Sequence, residues 1–201
     1  MSDPLPVILA SGSATRAQLL RRVGLEVTTR NAAVDEESIK ASFAAEGASV
    51  IDCATVLAEM KATRISARYP GCLVIGADQI LDLAGRWFDK PETLDDARRQ
   101  LQSLRGKTHE LVSASVVAVN GSRIWADHDI ACLTMRDFSD AFLDRYLEQA
   151  GADILGSVGA YHYEGLGAQL FDRVTGDYYT ILGLPVLRLL EFLRGHGVVG
   201  R

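Results

Sequence analysis

Leu73-Val74-Ile75-Gly76-Ala77, followed at once by Asp78-Gln79, is the stretch on which the architecture turns. Five apolar residues without alternation read as a strand buried on both faces, the kind found in a sheet covered by helices. A carboxylate directly after such a strand stands where open α/β sheets place their ligands. Earlier in the chain, Pro6-Val7-Ile8-Leu9-Ala10 repeats the pattern and empties into Ser11-Gly12-Ser13. Leu19, Leu20 and Val23 then recur at helical spacing, with Ser13 placed as N-cap and Gly24 as the stop. Strand, loop and helix form the opening unit.

A polar, acidic stretch, Val34-Asp35-Glu36-Glu37, precedes a second helical pattern from about Ser49 to Arg68. Ile51, Ala54, Leu57, Ala58, Ala62 and Ile65 share one arc of that helix, and Lys61 falls inside the arc. An ammonium there either snorkels its charge to water from the arc's edge or points at an anion; spacing leaves both open.

Beyond Asp78 the chain predicts a short ribbon around Ala84-Gly85, and Asp89-Lys90-Pro91 then leads into a helix opened by Thr93-x-x-Asp96 and closed by Gly106. Strands at about 110–119 and 123–135 are joined by Asn120-Gly121, a pair suited to a type I′ hairpin. Ser139 caps a helix bearing Phe142, Leu143, Tyr146 and Leu147, which Gly151 ends. A glycine-rich run from Gly156 to Gly167 leads to a hairpin turning at Thr175-Gly176-Asp177, and Gly183-Leu184-Pro185 starts a final helix. Helices alternating with strands, together with hairpins, predict an α/β fold: a mixed, twisted sheet with flanking helices. The expected organisation is a single domain over 1–201, with two lobes around a central cleft.

Composition removes several classes of function. The chain has 201 residues, 48% of them hydrophobic and 23% charged, which is ordinary globular usage. With 26 acidic against 21 basic residues the formal net charge is −5, so the overall field does not favour a nucleic-acid polymer, and any bound phosphate needs a local cluster. Cys53, Cys72 and Cys132 form no CxxC pair, and no signal-peptide-like start is present, which predicts a reduced, cytoplasmic protein. Apolar runs fall short of the roughly 20 residues of a membrane span. The sequence has no GxxxxGK[ST], GxGxxG or GxSxG, and His109-Glu110 lacks the second histidine of HExxH, which leaves His109 a structural reading. Asp127-His128-Asp129 reads as a solvated strand edge rather than a metal site.

Ser11-Gly12-Ser13 is the stronger anion candidate, because a small loop leaves amides free and the following helix aims its positive end there, with Arg16 one turn in. Glu36, Lys61, Asp78 and Lys90 stand where folding alone does not require them. Two carboxylates can hold Mg²⁺ while cations neutralise phosphate oxygens, so the cluster points to phosphate chemistry.

These residues resemble the Maf family of nucleoside triphosphate pyrophosphatases over nearly the whole chain. The resemblance is carried by 9–16, which includes Ser11-Gly12-Ser13-Ala14-Thr15-Arg16, then by Gly76-Ala77-Asp78-Gln79, Lys90-Pro91 and Gly106-Lys107-Thr108-His109. Gly159-Ala160-Tyr161, Glu164-Gly165-Leu166-Gly167 and Gly183-Leu184-Pro185 continue it. It implies a fold similar to that of the inosine-triphosphate pyrophosphatases and a cytoplasmic protein, often a homodimer. The implied activity is Mg²⁺- or Mn²⁺-dependent cleavage of a nucleoside triphosphate into monophosphate and pyrophosphate, which clears noncanonical nucleotides. By the same resemblance Asp78 is the proton acceptor or a metal ligand, and Glu36 helps hold the metal. Ser11, Gly12 and Ser13 cradle the phosphates, while Arg16, Lys61 and Lys90 offset charge on the leaving pyrophosphate. Thr15, Gln79 and Glu164 are the base-reading positions. The subgroup favouring dTTP and UTP typically has Arg, Thr and Gln there, and the subgroup favouring 7-methyl-GTP has Trp, Gln and Glu. Two of the three match the second, a lean to guanine-type nucleotides that leaves UTP and dTTP open. Ala14, Arg105 and Ser113 depart from the family's usual Pro, Ser and Thr. The alternative is a non-catalytic nucleotide-binding regulator of cell division, although a sensor does not need both Glu36 and Asp78 beside the phosphates.

Overall fold

A computed structural model describes residues 5–200. The elements run β1 (Val7–Ala10), α1 (Ala14–Arg22), β2 (Thr28–Thr29), α2 (Glu36–Ala45), α3 (Val50–Ser66), β3 (Leu73–Leu83), β4 (Arg86–Phe88) and α4 (Leu94–Leu104). They continue with β5 (Thr108–Val119), β6 (Ser122–Met135), α5 (Asp140–Ala150), β7 (Phe171–Thr175), α6 (Tyr178–Ile181) and α7 (Val186–Gly195). Seven strands make one mixed sheet in the order β2-β1-β3-β5-β6-β7, with β4 on β3. β1 runs parallel to β2 and β3, whereas the β3–β4 and β6–β7 pairs are antiparallel. Among the described residues no helix is long and apolar enough to cross a membrane.

The chain divides into two compact units. One gathers the residues up to Gln79, Val112–Asp129 and those from Asp177 on, and the other holds Ile80–Leu111 and Ile130–Gly176. In the first, Ser13 caps α1 by accepting from the Arg16 amide, and Leu19 and Leu20 bury against Leu9, Ile75 and Leu189. Ser49 caps α3, whose apolar arc is fully buried at Ala54, Leu57, Ala58 and Ala62. That helix lies directly on β3 at Gly76. A Cβ there would stand 2.1 Å from the Ala58 carbonyl oxygen and 2.7 Å from the Ala62 amide nitrogen, so helix and strand meet backbone to backbone. Gly76→Ala is expected to destabilise the protein by about 2 kcal/mol, the usual scale of overpacking, read from the urea midpoint. A loss under about 0.5 kcal/mol would show that the helix yields freely.

β3 is longer than the sequence suggests. Asp78 and Gln79 were expected at its exit, but the strand continues to Leu83. What ends early is its neighbour: β1 stops at Ala10 opposite Gly76, and β4 pairs only from Leu81, so neither covers Ala77–Ile80. The Asn120-Gly121 hairpin forms as expected, with φ of 52° and 81° at the two positions. The hairpin expected at Thr175-Gly176-Asp177 does not. The Asp177 carboxylate accepts from the amides of Tyr179 and Thr180 and starts α6 instead of a strand. Asp127 and Asp129, read as a solvated edge, are half-buried and meet Arg188 of α7 at 3.3 and 3.6 Å.

The second unit carries α4 with the expected capping box of Thr93 and Asp96, and α5 capped by Ser139. Leu101, Leu104, Leu133 and Leu143 are fully buried there. His109 is buried as a structural residue: its Nε2 lies 2.8 Å from the Tyr161 hydroxyl, and burial pushes its pKa down to about 4, which keeps the ring neutral.

Candidate active site

Within the first unit, three elements bring Glu36, Lys61 and Asp78 together. Asp35 caps α2 by accepting from the Ser38 amide, which puts Glu36 at the first helical position. Lys61 comes from the buried arc of α3 and Asp78 from the uncovered stretch of β3. The Lys61 Nζ lies 2.5 Å from Asp78 Oδ1 and 2.6 Å from Glu36 Oε1. The side chains of Lys61 and Asp78 are 8% and 4% exposed, against 44% for Glu36, so the pair is sealed while the third partner faces outward. The anions that account for an ammonium on an apolar arc are therefore carboxylates of the same chain. Burial alone would raise the Glu36 pKa, but the Lys61 ammonium and its hydrogen bond, helped by Lys40 and Arg16, hold it below the usual value.

Among the described residues one oxygen of the triad has no partner: Asp78 Oδ2 is buried and accepts no hydrogen bond from them. A buried carboxylate oxygen left in that state needs a water, a proton or a cation. The triad sets one ammonium against two carboxylates, and the charges of Lys40 and Arg16 also act on Glu36. Among the described residues no group of three or more His, Cys, Asp or Glu side chains could hold a metal ion. Two carboxylates nevertheless match Mg²⁺, which takes one or two from the protein and its remaining ligands from water and substrate phosphate.

The loop between β1 and α1 adds an anion-binding feature. Ser11 Oγ accepts from the Ser13 amide at 3.2 Å, Ser13 Oγ accepts from the Arg16 amide at 3.3 Å, and the first-turn amides of Ala14 and Thr15 have no intrahelical partner. The loop borders a hollow of about 310 Å³ that is also walled by Gln18, Arg21 and Thr29. Arg16 is half-buried and lies beside this loop. Its guanidinium donates to the carbonyls of Gly183 at 2.7 Å and Ala77 at 3.1 Å, and to Ser11 Oγ at 3.3 Å. Burial pushes its pKa down, partly offset by Asp78 and Glu36. Arg16 thus ties the loop, the uncovered edge of β3 and the turn after α6 to one another through its Nε and one terminal nitrogen.

Gln79 lies one residue beyond Asp78, and its amide donates to Ser113, Thr180 and Ile181. Thr15 is the second residue of α1 and half-buried. Gly12 is exposed, and a Cβ there would meet nothing within 4 Å. Lys90 and Glu164 belong to the second unit, Lys90 on the exposed segment between β4 and α4 and Glu164 in an exposed turn before Gly165. The sequence singles out Gly183 and Ser113 only as family positions and does not single out Thr180; that Gly183 holds Arg16 and Thr180 holds Gln79, each over a hundred residues away along the chain, is seen only in the structure.

The family model for Maf-like proteins matches residues 6–196. The chain belongs to the Maf family. Among Maf relatives, a protein of Paramagnetospirillum magneticum named nucleoside triphosphate pyrophosphatase is 55% identical over 190 residues, covering 94% of this chain and 98% of its own. One of Caulobacter vibrioides with the same name is 52% identical, over 96% of this chain and 97% of its own. A Brucella abortus protein named 7-methyl-GTP pyrophosphatase is 47% identical, over 94% of each chain. These matches span this Maf protein almost end to end, so the loop, triad and turn described above all lie within the matched length.

Proposed function

We propose that this Maf protein is a divalent-metal-dependent nucleoside triphosphate pyrophosphatase with a preference for guanine-type nucleotides. The observation that carries the reading is the buried Lys61 bridging Asp78 and Glu36, with Asp78 Oδ2 unpartnered. The names of the relatives support the reaction class, and the 7-methyl-GTP name among them supports the guanine lean.

In this reading the triphosphate meets the loop amides at Ser11-Gly12-Ser13 and the positive end of α1. Water attacks the α-phosphorus, the bond from that phosphorus to the bridging oxygen breaks, and pyrophosphate leaves. Asp78 Oδ2 takes the proton of the attacking water, since Lys61 already engages Oδ1 and fixes the carboxylate's orientation. Glu36 and Asp78 are the residues that would hold a divalent cation, which when bound supplies Lewis-acid polarisation and charge neutralisation. The Lys61 ammonium lowers the cost of bringing polyanionic phosphate beside two carboxylates.

Pyrophosphate release from a panel of GTP, 7-methyl-GTP, UTP and dTTP, each with Mg²⁺ or Mn²⁺, tests the proposal. Expected are turnover that chelator abolishes and a ranking with guanine-type nucleotides first. Tight triphosphate binding by calorimetry without turnover over hours would replace the enzyme with a nucleotide-binding regulator.

A further inference from the structure

The segment that brings Glu36 to the triad is fastened along α3 rung by rung. Arg30 donates from Nε to the Tyr69 hydroxyl at 3.1 Å and sets its guanidinium over that ring, in the turn that follows α3. Ala32 buries with Ile65 in one cluster, against which Val34 and Tyr69 also pack. The Ala33 carbonyl accepts from Arg64 at 3.0 Å. Glu36 then meets Lys61 at 2.6 Å. Lys61, Arg64 and Ile65 share one face of the helix, three and four residues apart. Residues 30–36 therefore run antiparallel to α3 as a strap whose last rung is an ion pair of the triad.

The strap bends at Ala33, which has φ of +50° although it carries a Cβ. Such backbone is strained and persists where its surroundings hold it. Here it is held on both sides: the Ala33 amide donates to Asn31 Oδ1 at 3.0 Å, and the carbonyl takes Arg64. Two residues later Asp35 caps α2, and Glu36 opens that helix. Without the bend α2 would start from another point, and Glu36, 44% exposed on a flexible stem, would leave Lys61 for water. Arg64 is itself exposed and takes no part in the chemistry proposed above.

We infer that Arg64 and Ala33 are positioning residues: the strap they hold sets the Glu36 carboxylate against Lys61 and beside Asp78. The metal role of Glu36 in this inference rests on the pyrophosphatase reading above. What Arg64 contributes is reach, because it fixes where α2 begins relative to the helix that carries the ammonium.

Two readouts on the full chain test it, calorimetric titration with Mn²⁺ alone and pyrophosphate release. Arg64→Met, which keeps a good helix former at an exposed site, should raise the Mn²⁺ dissociation constant and lower kcat/KM, each about fivefold, the scale of one hydrogen bond. Arg64→Lys can still donate to the Ala33 carbonyl and should recover most of both. Ala33→Val should lose at least as much as Arg64→Met: Ala33 is exposed, so the larger side chain meets no packed neighbour, but a β-branched residue resists positive φ. In a double-mutant cycle the kcat/KM effect of Arg64→Met should shrink below twofold once Glu36→Gln is present, because the strap acts through that carboxylate. An equal loss with and without Glu36→Gln, or no loss from either strap variant, would overturn the positioning role. A wild type that binds Mn²⁺ but turns over no nucleotide would overturn the pyrophosphatase reading alone, and the Mn²⁺ constants of the Arg64 variants would still decide this inference. A wild type that does neither would overturn both.

Discussion

Asp78→Asn is expected to lower pyrophosphate release about a thousandfold, mostly in kcat, while the variant folds and melts like the wild type. The substitution is isosteric and can leave an oxygen facing Lys61, so the contact at 2.5 Å keeps an acceptor. What it removes is the second carboxylate oxygen, the buried one without a partner, and replaces it with a group that donates protons and cannot take one. A positioned general base contributes roughly 10² to 10⁴ in rate, and lost affinity for a divalent cation at the same oxygen would add to that. Turnover within about tenfold of wild type would remove Asp78 from the chemistry.

Lys61→Met should damage both fold and activity. The methionine fills the stem's space on the buried arc of α3, but Asp78, 4% exposed, loses its counter-charge beside a second carboxylate. Breaking a sealed pair by removing one partner costs about 3 to 5 kcal/mol, and half-exposed Glu36 keeps the expected loss near the lower end. The variant should also gain more thermal stability from added Mg²⁺ than the wild type does, because the missing positive charge is what the ion would supply. Activity should fall by about a hundredfold even with saturating metal. A urea midpoint within about 0.5 kcal/mol of wild type, or an equal response to Mg²⁺ in both proteins, would show that the triad is not held together as its distances imply.

Much of this was legible in the sequence because its signals are local. The unbroken apolar runs at 7–10 and 73–77 fixed two parallel strands, and Ser13, Thr93 and Ser139 marked helix starts that all form. Lys61 stood out because its position on the helix conflicted with its charge, and a conflict between pattern and residue is readable without coordinates. Other features depend on where strands end relative to one another. The length of β3 past Asp78 could not be read, since Asp78-Gln79 is polar where the preceding run is apolar, and the strand persists because it goes on to pair with β4. The helix after β7 was mistaken for a strand because Thr175-Gly176-Asp177 serves equally as a hairpin turn and as a helix start, and the choice rests on which amides the Asp177 carboxylate caps. The sequence shows Arg16 one turn into a helix after a small loop, but not what its guanidinium binds. The carbonyl of Gly183 that takes its Nε lies 167 residues away, beyond the reach of any local pattern.

The backbone contact at Gly76 has a consequence for how this protein can change. Ala58 and Ala62, which rest on that glycine, are neighbours of Lys61 on the same helix, and Asp78 is two residues along the same strand. The seam that holds the layers together therefore also sets the reach of the ammonium to its carboxylate. Substitutions here have no neutral route: one that repacks the seam displaces the reactive groups, and one that adjusts the reactive groups disturbs the seam. Variation in robustness has to be accommodated elsewhere, at positions such as Ile124 and Leu187, whose side chains face solvent.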